Sequence, residues 1–229
     1  MGLFKTRTYT DPARNTGCTA FEVDNWTISD FVLDKLIPVV GTRPFPLSEL
    51  TLMVATVCRF KPQLIFDWGT HVGKSARVFR ETIVAFGIPA HIHSVDLPDD
   101  VAHVEHPQNE RGKLVRGLRE VTLHQGDGVA TALDILAKTP GQRALFYVDG
   151  DHSYESVKRE FGLILEKAPQ AIVLLHDTFD QSAPSGYNTG PYRAIQELLA
   201  SRSGSYRTIS TTTGLPGMTL VYPEQALRN

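Results

Sequence analysis

From Leu64 onward one pattern repeats: a short apolar run ending at or beside an aspartate, then a longer amphipathic stretch. The runs are LIFDWG at 64–69, HIHSVD at 91–96, VTLHQGD at 121–127, ALFYVDG at 144–150 and AIVLLHD at 171–177. Helical patterns lie between most of them, notably KSARVFRETIVAF, ATALDILAK and YESVKREFGLILEK. Near-continuous apolar runs alternating with helices specify strands buried on both faces of a parallel sheet. The tail SYRTISTTTGLPGMTLVY instead reads as two strands around a Gly-Pro-Gly turn, an antiparallel hairpin. Upstream, helices are predicted at about 26–37 and 47–60, separated by the breaker VGTRPFP. The chain is therefore α/β and doubly wound: a mostly parallel seven-stranded sheet with a C-terminal antiparallel hairpin and N-terminal helices. Residues 1–60 form an N-terminal segment with cap helices, and residues 61–229 the principal domain.

With 229 residues and 41% hydrophobic content, the chain can bury one substantial core. Its net charge of −2 argues against a nucleic-acid or membrane-surface partner. No apolar run is long enough to cross a bilayer, and the polar start MGLFKTRTYTDPARN lacks a secretory pattern. Met1-Gly2 with Thr6 matches the short N-myristoylation pattern, which arises readily by chance. Cys18 and Cys58 form no disulfide or metal framework, so a reducing, cytoplasmic setting is expected.

Open parallel sheets bind ligands beyond the carboxyl ends of their strands. Asp67, Asp96, Asp127, Asp149 and Asp177 all fall at such ends, although one or two are expected to be only helix caps. After the first run comes Asp67-Trp68-Gly69-Thr70-His71-Val72-Gly73-Lys74-Ser75. A phosphate-binding loop needs four residues between its glycines, whereas three separate Gly69 from Gly73 and Trp68 stands where glycine is required. The dinucleotide spacing G-x-G-x-x-G is absent as well. What remains is [DE]-x-G-x-x-x-G.

That pattern resembles the first motif of class I S-adenosylmethionine-dependent methyltransferases, which have a Rossmann-like fold. Asp96 ends the second strand, where a carboxylate accepts hydrogen bonds from ribose hydroxyls. Gly126-Asp127-Gly128 ends the third, where the family places residues around adenine. The terminal hairpin matches the family's antiparallel end strand. The resemblance covers about 60–222. Within it WGTHVGKSA, VDGDHSYESVKREF and LLHDT look like a bacterial branch of small-molecule O-methyltransferases. That branch is similar to macrolide-sugar O-methyltransferases and cephalosporin-hydroxylase-like proteins, and more distantly to caffeoyl-CoA and catechol O-methyltransferases. The resemblance implies a cofactor site of Asp67, Gly69, Thr70, His71, Gly73, Ser75, Asp96, Asp127, Gly128 and Asp149.

It also implies chemistry where the fourth and fifth runs end. Metal-dependent members place carboxylate ligands there. Asp149 and Asp177 keep that pattern, and His176 stands where a further carboxylate is usual. A divalent cation, Mg²⁺ or Mn²⁺, is thus expected on Asp149, His176 and Asp177, with an imidazole ligand favouring Mn²⁺, iron or zinc over Mg²⁺. His152 follows Val-Asp-Gly-Asp where caffeoyl-CoA enzymes carry a lysine, and is the expected base, with Asp149 beside it. The expected reaction is methyl transfer to a hydroxyl of a small molecule, such as a sugar-bearing natural product or a catechol-like ring, by a homodimer. A non-catalytic cofactor-binding subunit and a phosphate-loop phosphotransferase are the alternatives. His71 is expected to act through its backbone, and His91, His93, His103, His106 and His124 to sit on the surface or in loops. The irregular stretches after Asp96 and Asp177 are expected to admit the acceptor, with Tyr187, Asn188 and Arg193 touching it.

Overall fold

The computed structural model describes residues 9–15, 17–98, 100–101 and 110–227. The myristoylation pattern and residues 99 and 102–109 of the stretch after Asp96, with His103 and His106, lie outside these residues.

Helices α1 (Asn25–Phe31), α2 (Ile37–Val40) and α3 (Leu47–Phe60) precede β1 (Leu64–Trp68). There follow α4 (Lys74–Ala85), β2 (His91–Asp96), β3 (Val121–Gln125), α5 (Gly128–Ala137), β4 (Ala144–Val148), α6 (Tyr154–Lys167) and β5 (Ile172–His176). Last come α7 (Gly190–Ala200), β6 (Tyr206–Ser210) and β7 (Met218–Pro223). The seven strands lie in the order β3-β2-β1-β4-β5-β7-β6. Five are parallel, and the terminal hairpin joins antiparallel through β7, which lies between β5 and β6. The expected sheet is thus present. The first helix differs from expectation: Val32–Leu36 is a π-helical stretch between α1 and α2. Pro38, in the first turn of α2, has no N–H to return to Asp34, and the wider turn absorbs that loss.

Alternate residues of each central strand enter opposite cores. Ile65, Leu145, Tyr147, Ile172 and Leu174 face α1 to α4. Phe66, Phe146, Val148, Val173 and Leu175 face α5, α6 and α7. On the first face α4 is the one helix supplied by a strand-to-strand crossover, so the N-terminal helices cover what it leaves open. That packing carries α3 to the carboxyl end of β5.

Candidate active site

A cavity of about 1420 Å³ opens at the carboxyl ends of the parallel strands. All the expected cofactor residues line it except Asp67 and Gly73. Asp67 shares the face of Ile65 and is fully buried, taking a 2.5 Å hydrogen bond from Ser94 Oγ. Burial pushes its carboxyl up to about 6, against the pull of the Ser75 and Ser94 hydroxyls. It braces the turn from behind and does not touch ligand space. Gly73 caps α4 at φ +88°, where a Cβ would come within 2.9 Å of Val115 Cγ2. Gly69 answers a tighter demand: a Cβ there would lie 2.0 Å from the carbonyl oxygen of Asp149. Its absence lets the turn pass against the end of β4, so the two halves of the site are built on one contact. The Thr70 hydroxyl is engaged with Ser94 Oγ at 2.7 Å.

His71, at φ +45°, donates its backbone N–H to Asp96 Oδ2 at 2.9 Å. Leu97 N–H donates to Oδ1 at 2.8 Å, so the Asp96 carboxylate is held in a fixed orientation at the cavity wall. Asp127 lines the cavity but chiefly caps α5, accepting from Ala130 N–H at 2.8 Å and pairing with Arg159 at 2.7 Å. Gly128 is small because the Trp68 indole lies against it, where a Cβ would sit 2.4 Å from Trp68 Cγ. That indole donates to the buried Glu160 at 3.0 Å, and sequence reasoning assigned neither residue a role at the site.

At the ends of β4 and β5, Asp149, His152, His176 and Asp177 offer ligand atoms that all lie within 4.8 Å of one another. His152 thus lies beside the three expected ligands. His152 Nδ1 lies 2.7 Å from Asp177 Oδ2, and its Nε2 3.2 Å from Asp149 Oδ1. His176 is buried, with Nδ1 2.9 Å from Asp149 Oδ1 and 3.6 Å from Asp177 Oδ2. Neither short contact has hydrogen-bond geometry, and Nδ1 is left without a hydrogen bond. Its Nε2 contacts Glu49 Oε2 at 3.0 Å, while Glu49 Oε1 accepts Gly217 N–H at 2.8 Å. Glu49, from α3, is 1% exposed and is the clearest residue that sequence reasoning missed. Phe45 closes the other side, its ring 5.3 Å from the His176 ring. Asp177 itself is left-handed at φ +55°, a conformation Asp tolerates better than most residues.

Residues 66–178 match the profile of a family described as a methyltransferase domain. These residues are a methyltransferase domain. No curated protein sequence matches the chain at a significant level. Among solved structures, the O-methyltransferase TomG of Streptomyces achromogenes, from tomaymycin synthesis and in complex with SAM, is similar at 17% identity and TM-score 0.53, over 87% of this chain and 88% of that one. An O-methyltransferase of Bacillus cereus in complex with SAH is similar at 13% identity and TM-score 0.54, over 86% and 90%. The calicheamicin methyltransferase CalS11, also described as a TDP-rhamnose 3'-O-methyltransferase, is similar at 17% identity and TM-score 0.53, over 85% of each chain. These likenesses establish the Rossmann-like methyltransferase fold. No helix among the described residues is long and apolar enough to cross a membrane.

Three expected acceptor contacts take other places in the methyltransferase domain's surroundings. Tyr187 donates its hydroxyl to Asp177, Asn188 donates to the His152 carbonyl, and Arg193 stacks 5.4 Å from the Tyr154 ring centroid. None of the three lines the cavity; Tyr187 and Asn188 fasten the loop after β5 to the site. The expected surface histidines of β2 and β3 are also held more closely than foreseen. His93 Nδ1 is 3.0 Å from His124 Nε2, and the His93 ring stacks on Phe66. Burial, with the charges of His91 and His124, takes His93 down to about 4.

Burial alone would lower His152, but its hydrogen bonds to Asp149 and Asp177 and their charges overcome it and push it up to about 10. A histidine raised from 6.5 stabilises the fold fully below about 6.5, and that contribution disappears as pH rises through about 10. In EDTA, the melting temperature of the wild type should therefore fall more steeply across this window than that of His152→Gln. Parallel curves would show that the imidazole is not held between the two carboxylates.

Proposed function

We propose that the chain is an S-adenosylmethionine-dependent O-methyltransferase acting on a hydroxylated small molecule, with His152 as its base and a divalent cation at Asp149, His176 and Asp177. The observation that carries this reading is one cavity lined both by the Gly69–His71 turn with Asp96 and by the two-carboxylate, two-imidazole quartet. A nitrogen and oxygen donor set within 4.8 Å suits a first-row cation, and the buried His176 Nδ1, which makes no hydrogen bond and faces Asp149 Oδ1 at 2.9 Å, fits as one of its ligands. When bound, the cation lowers the pKa of an acceptor hydroxyl and supplies the positive charge that protons supply without it.

The protein's own part is positioning and proton transfer. Asp96, already oriented by two backbone N–H groups, has lone pairs left for the two ribose hydroxyls. The turn at Gly69 holds the methyl donor against the end of β4, and the quartet holds the acceptor oxygen at the same edge, which is mainly a proximity effect. Asp177 keeps the shorter contact to His152 Nδ1 and orients the ring. Nε2, with the longer contact to Asp149, is the atom that takes the acceptor proton. In its neutral form His152 would take that proton, and a cation held by Asp149, His176 and Asp177 would favour that form by competing for the two carboxylates.

The homodimer and the cytoplasmic setting belong to this reading too. Trp26, Leu33 and Leu47 are exposed apolar side chains on the N-terminal helices, and sedimentation would test their association. Both cysteines are unpaired, in keeping with a reducing setting. The central test is calorimetric titration of S-adenosylhomocysteine into the wild type and Asp96→Ala. Micromolar binding by the wild type, weakened at least about tenfold in the variant by loss of the charge-assisted bonds, is expected. No binding by the wild type would overturn the methyltransferase reading.

A further inference from the structure

We propose that Arg43 and Lys74 form an anion subsite at the cavity wall that takes a phosphate or carboxylate group of the methyl acceptor. The proposal rests on the O-methyltransferase reading and narrows its acceptor to an acidic hydroxyl compound. Each carboxylate on the cavity wall is engaged within the protein: Asp96 by two backbone N–H groups, Asp127 by Arg159, Asp151 by Ser153 and Ser156, Glu160 by Trp68 and Arg159, and Asp149 and Asp177 by the two imidazoles. Arg159 is spent on Asp127 and Glu160. Arg43 and Lys74 also line the cavity, and among the described residues neither has a carboxylate within ion-pair distance.

Lys74 is tied to the segment that carries Arg43. Lys74 Nζ donates to the backbone carbonyl of Arg43 at 2.6 Å. Arg43 stands in a segment whose Pro44 and Pro46 fix two φ angles, and the segment is anchored by Phe45, which is 3% exposed and packs on Tyr147 and His176. Two cations on one concave wall, neither answered by a carboxylate, make the local potential positive and favour an anion there. Phe45 ties this segment to the quartet, and Arg43 and Lys74 line the same cavity as Asp149 and Asp177, so one molecule can reach both. A sugar phosphate, a nucleoside diphosphate sugar or a hydroxy acid has the required chemistry, whereas a neutral catechol leaves both cations unanswered.

A cofactor also carries a carboxylate, so the experiment separates the two sources. Inorganic pyrophosphate, S-adenosylhomocysteine and 5'-methylthioadenosine, which lacks the amino-acid tail, are titrated in EDTA into the wild type and the Arg43→Gln/Lys74→Gln double variant. The expected result is pyrophosphate binding weakened roughly tenfold or more by the loss of two charge-assisted partners, with S-adenosylhomocysteine unchanged. Pyrophosphate that fails to bind the wild type, or binds the double variant equally well, overturns the proposal. So does a variant that loses S-adenosylhomocysteine but keeps 5'-methylthioadenosine, because the cations would then hold the cofactor's tail. Both side chains are solvent-accessible and make no buried contact through their charged ends, and an unchanged melting temperature would verify that the double variant folds. If the wild type binds pyrophosphate but not S-adenosylhomocysteine, the subsite lacks its methyl acceptor and the proposal falls with the function, a result distinct from failure of the subsite alone.

Discussion

Replacing His152 by alanine is expected to lower methyl-transfer turnover by about 10²–10⁴, the usual contribution of a positioned general base, while S-adenosylhomocysteine binding stays unchanged. The imidazole lies between Asp177 and Asp149, away from the turn that Asp96 holds through His71 N–H. Its loss should therefore spare the donor and fall on the proton. Formation of S-adenosylhomocysteine from S-adenosylmethionine reads the turnover, and calorimetry reads the affinity. Because the neighbouring carboxylates hold His152 protonated at neutral pH, wild-type turnover is also expected to need the divalent cation, and cation binding should release protons to buffer. Equal turnover in wild type and variant would remove His152 from the chemistry. An equal drop in donor affinity would assign it a structural part instead.

Glu49→Ala is expected to act on the same centre from behind. It removes the carboxylate that accepts from His176 Nε2 and from Gly217 N–H, both in a buried setting. Breaking a buried charged pair on one side costs about 3–5 kcal/mol, so a large fall in melting temperature should follow. A second effect separates positioning from mere stability. Carboxylates behind metal-bound imidazoles fix the ring's tautomer, and their loss typically weakens metal binding by about 10–100-fold. Glu49→Gln keeps an amide oxygen for His176 Nε2–H and should recover part of the Mn²⁺ affinity. Mn²⁺ titration followed by electron paramagnetic resonance, at a temperature where both variants are folded, measures this directly. Mn²⁺ affinity that is the same in all three proteins would leave Glu49 as a buried brace with no bearing on the cation.

The sheet and the carboxyl-edge aspartates were legible because each is a local property of the chain. An apolar run followed by Asp announces its own strand end, and adjacent strands β4 and β5 bring Asp149 and Asp177 together without further information. The residues that escaped are those whose role depends on a distant partner. Glu49 looks like an ordinary acid in the first turn of an amphipathic helix, and it meets His176 across 127 residues. Trp68 and Glu160 are joined across 92. Asp67 was misplaced for another reason: it shares its parity with Ile65, and that parity turns it into the core under α4 and away from the ligand. Asp127 showed that a strand-end aspartate can serve the following helix and an arginine as much as the cavity.

The insertion of β7 between β5 and β6 has a consequence for the timing of assembly. Gly217, at the start of β7, reaches Glu49 across 168 residues, and the Leu227 carbonyl reaches Arg59 across the same span. During synthesis α3 emerges 168 residues ahead of these polar partners. Until they arrive, the apolar side of α3 and the exposed edge of β5 must wait without each other, a non-local closure of the kind that folds slowly and offers chaperones a surface to hold. The centre at His176 is thus among the last parts of the molecule to become ordered, and a nascent chain stopped before residue 217 would carry the donor-binding turn without the completed centre.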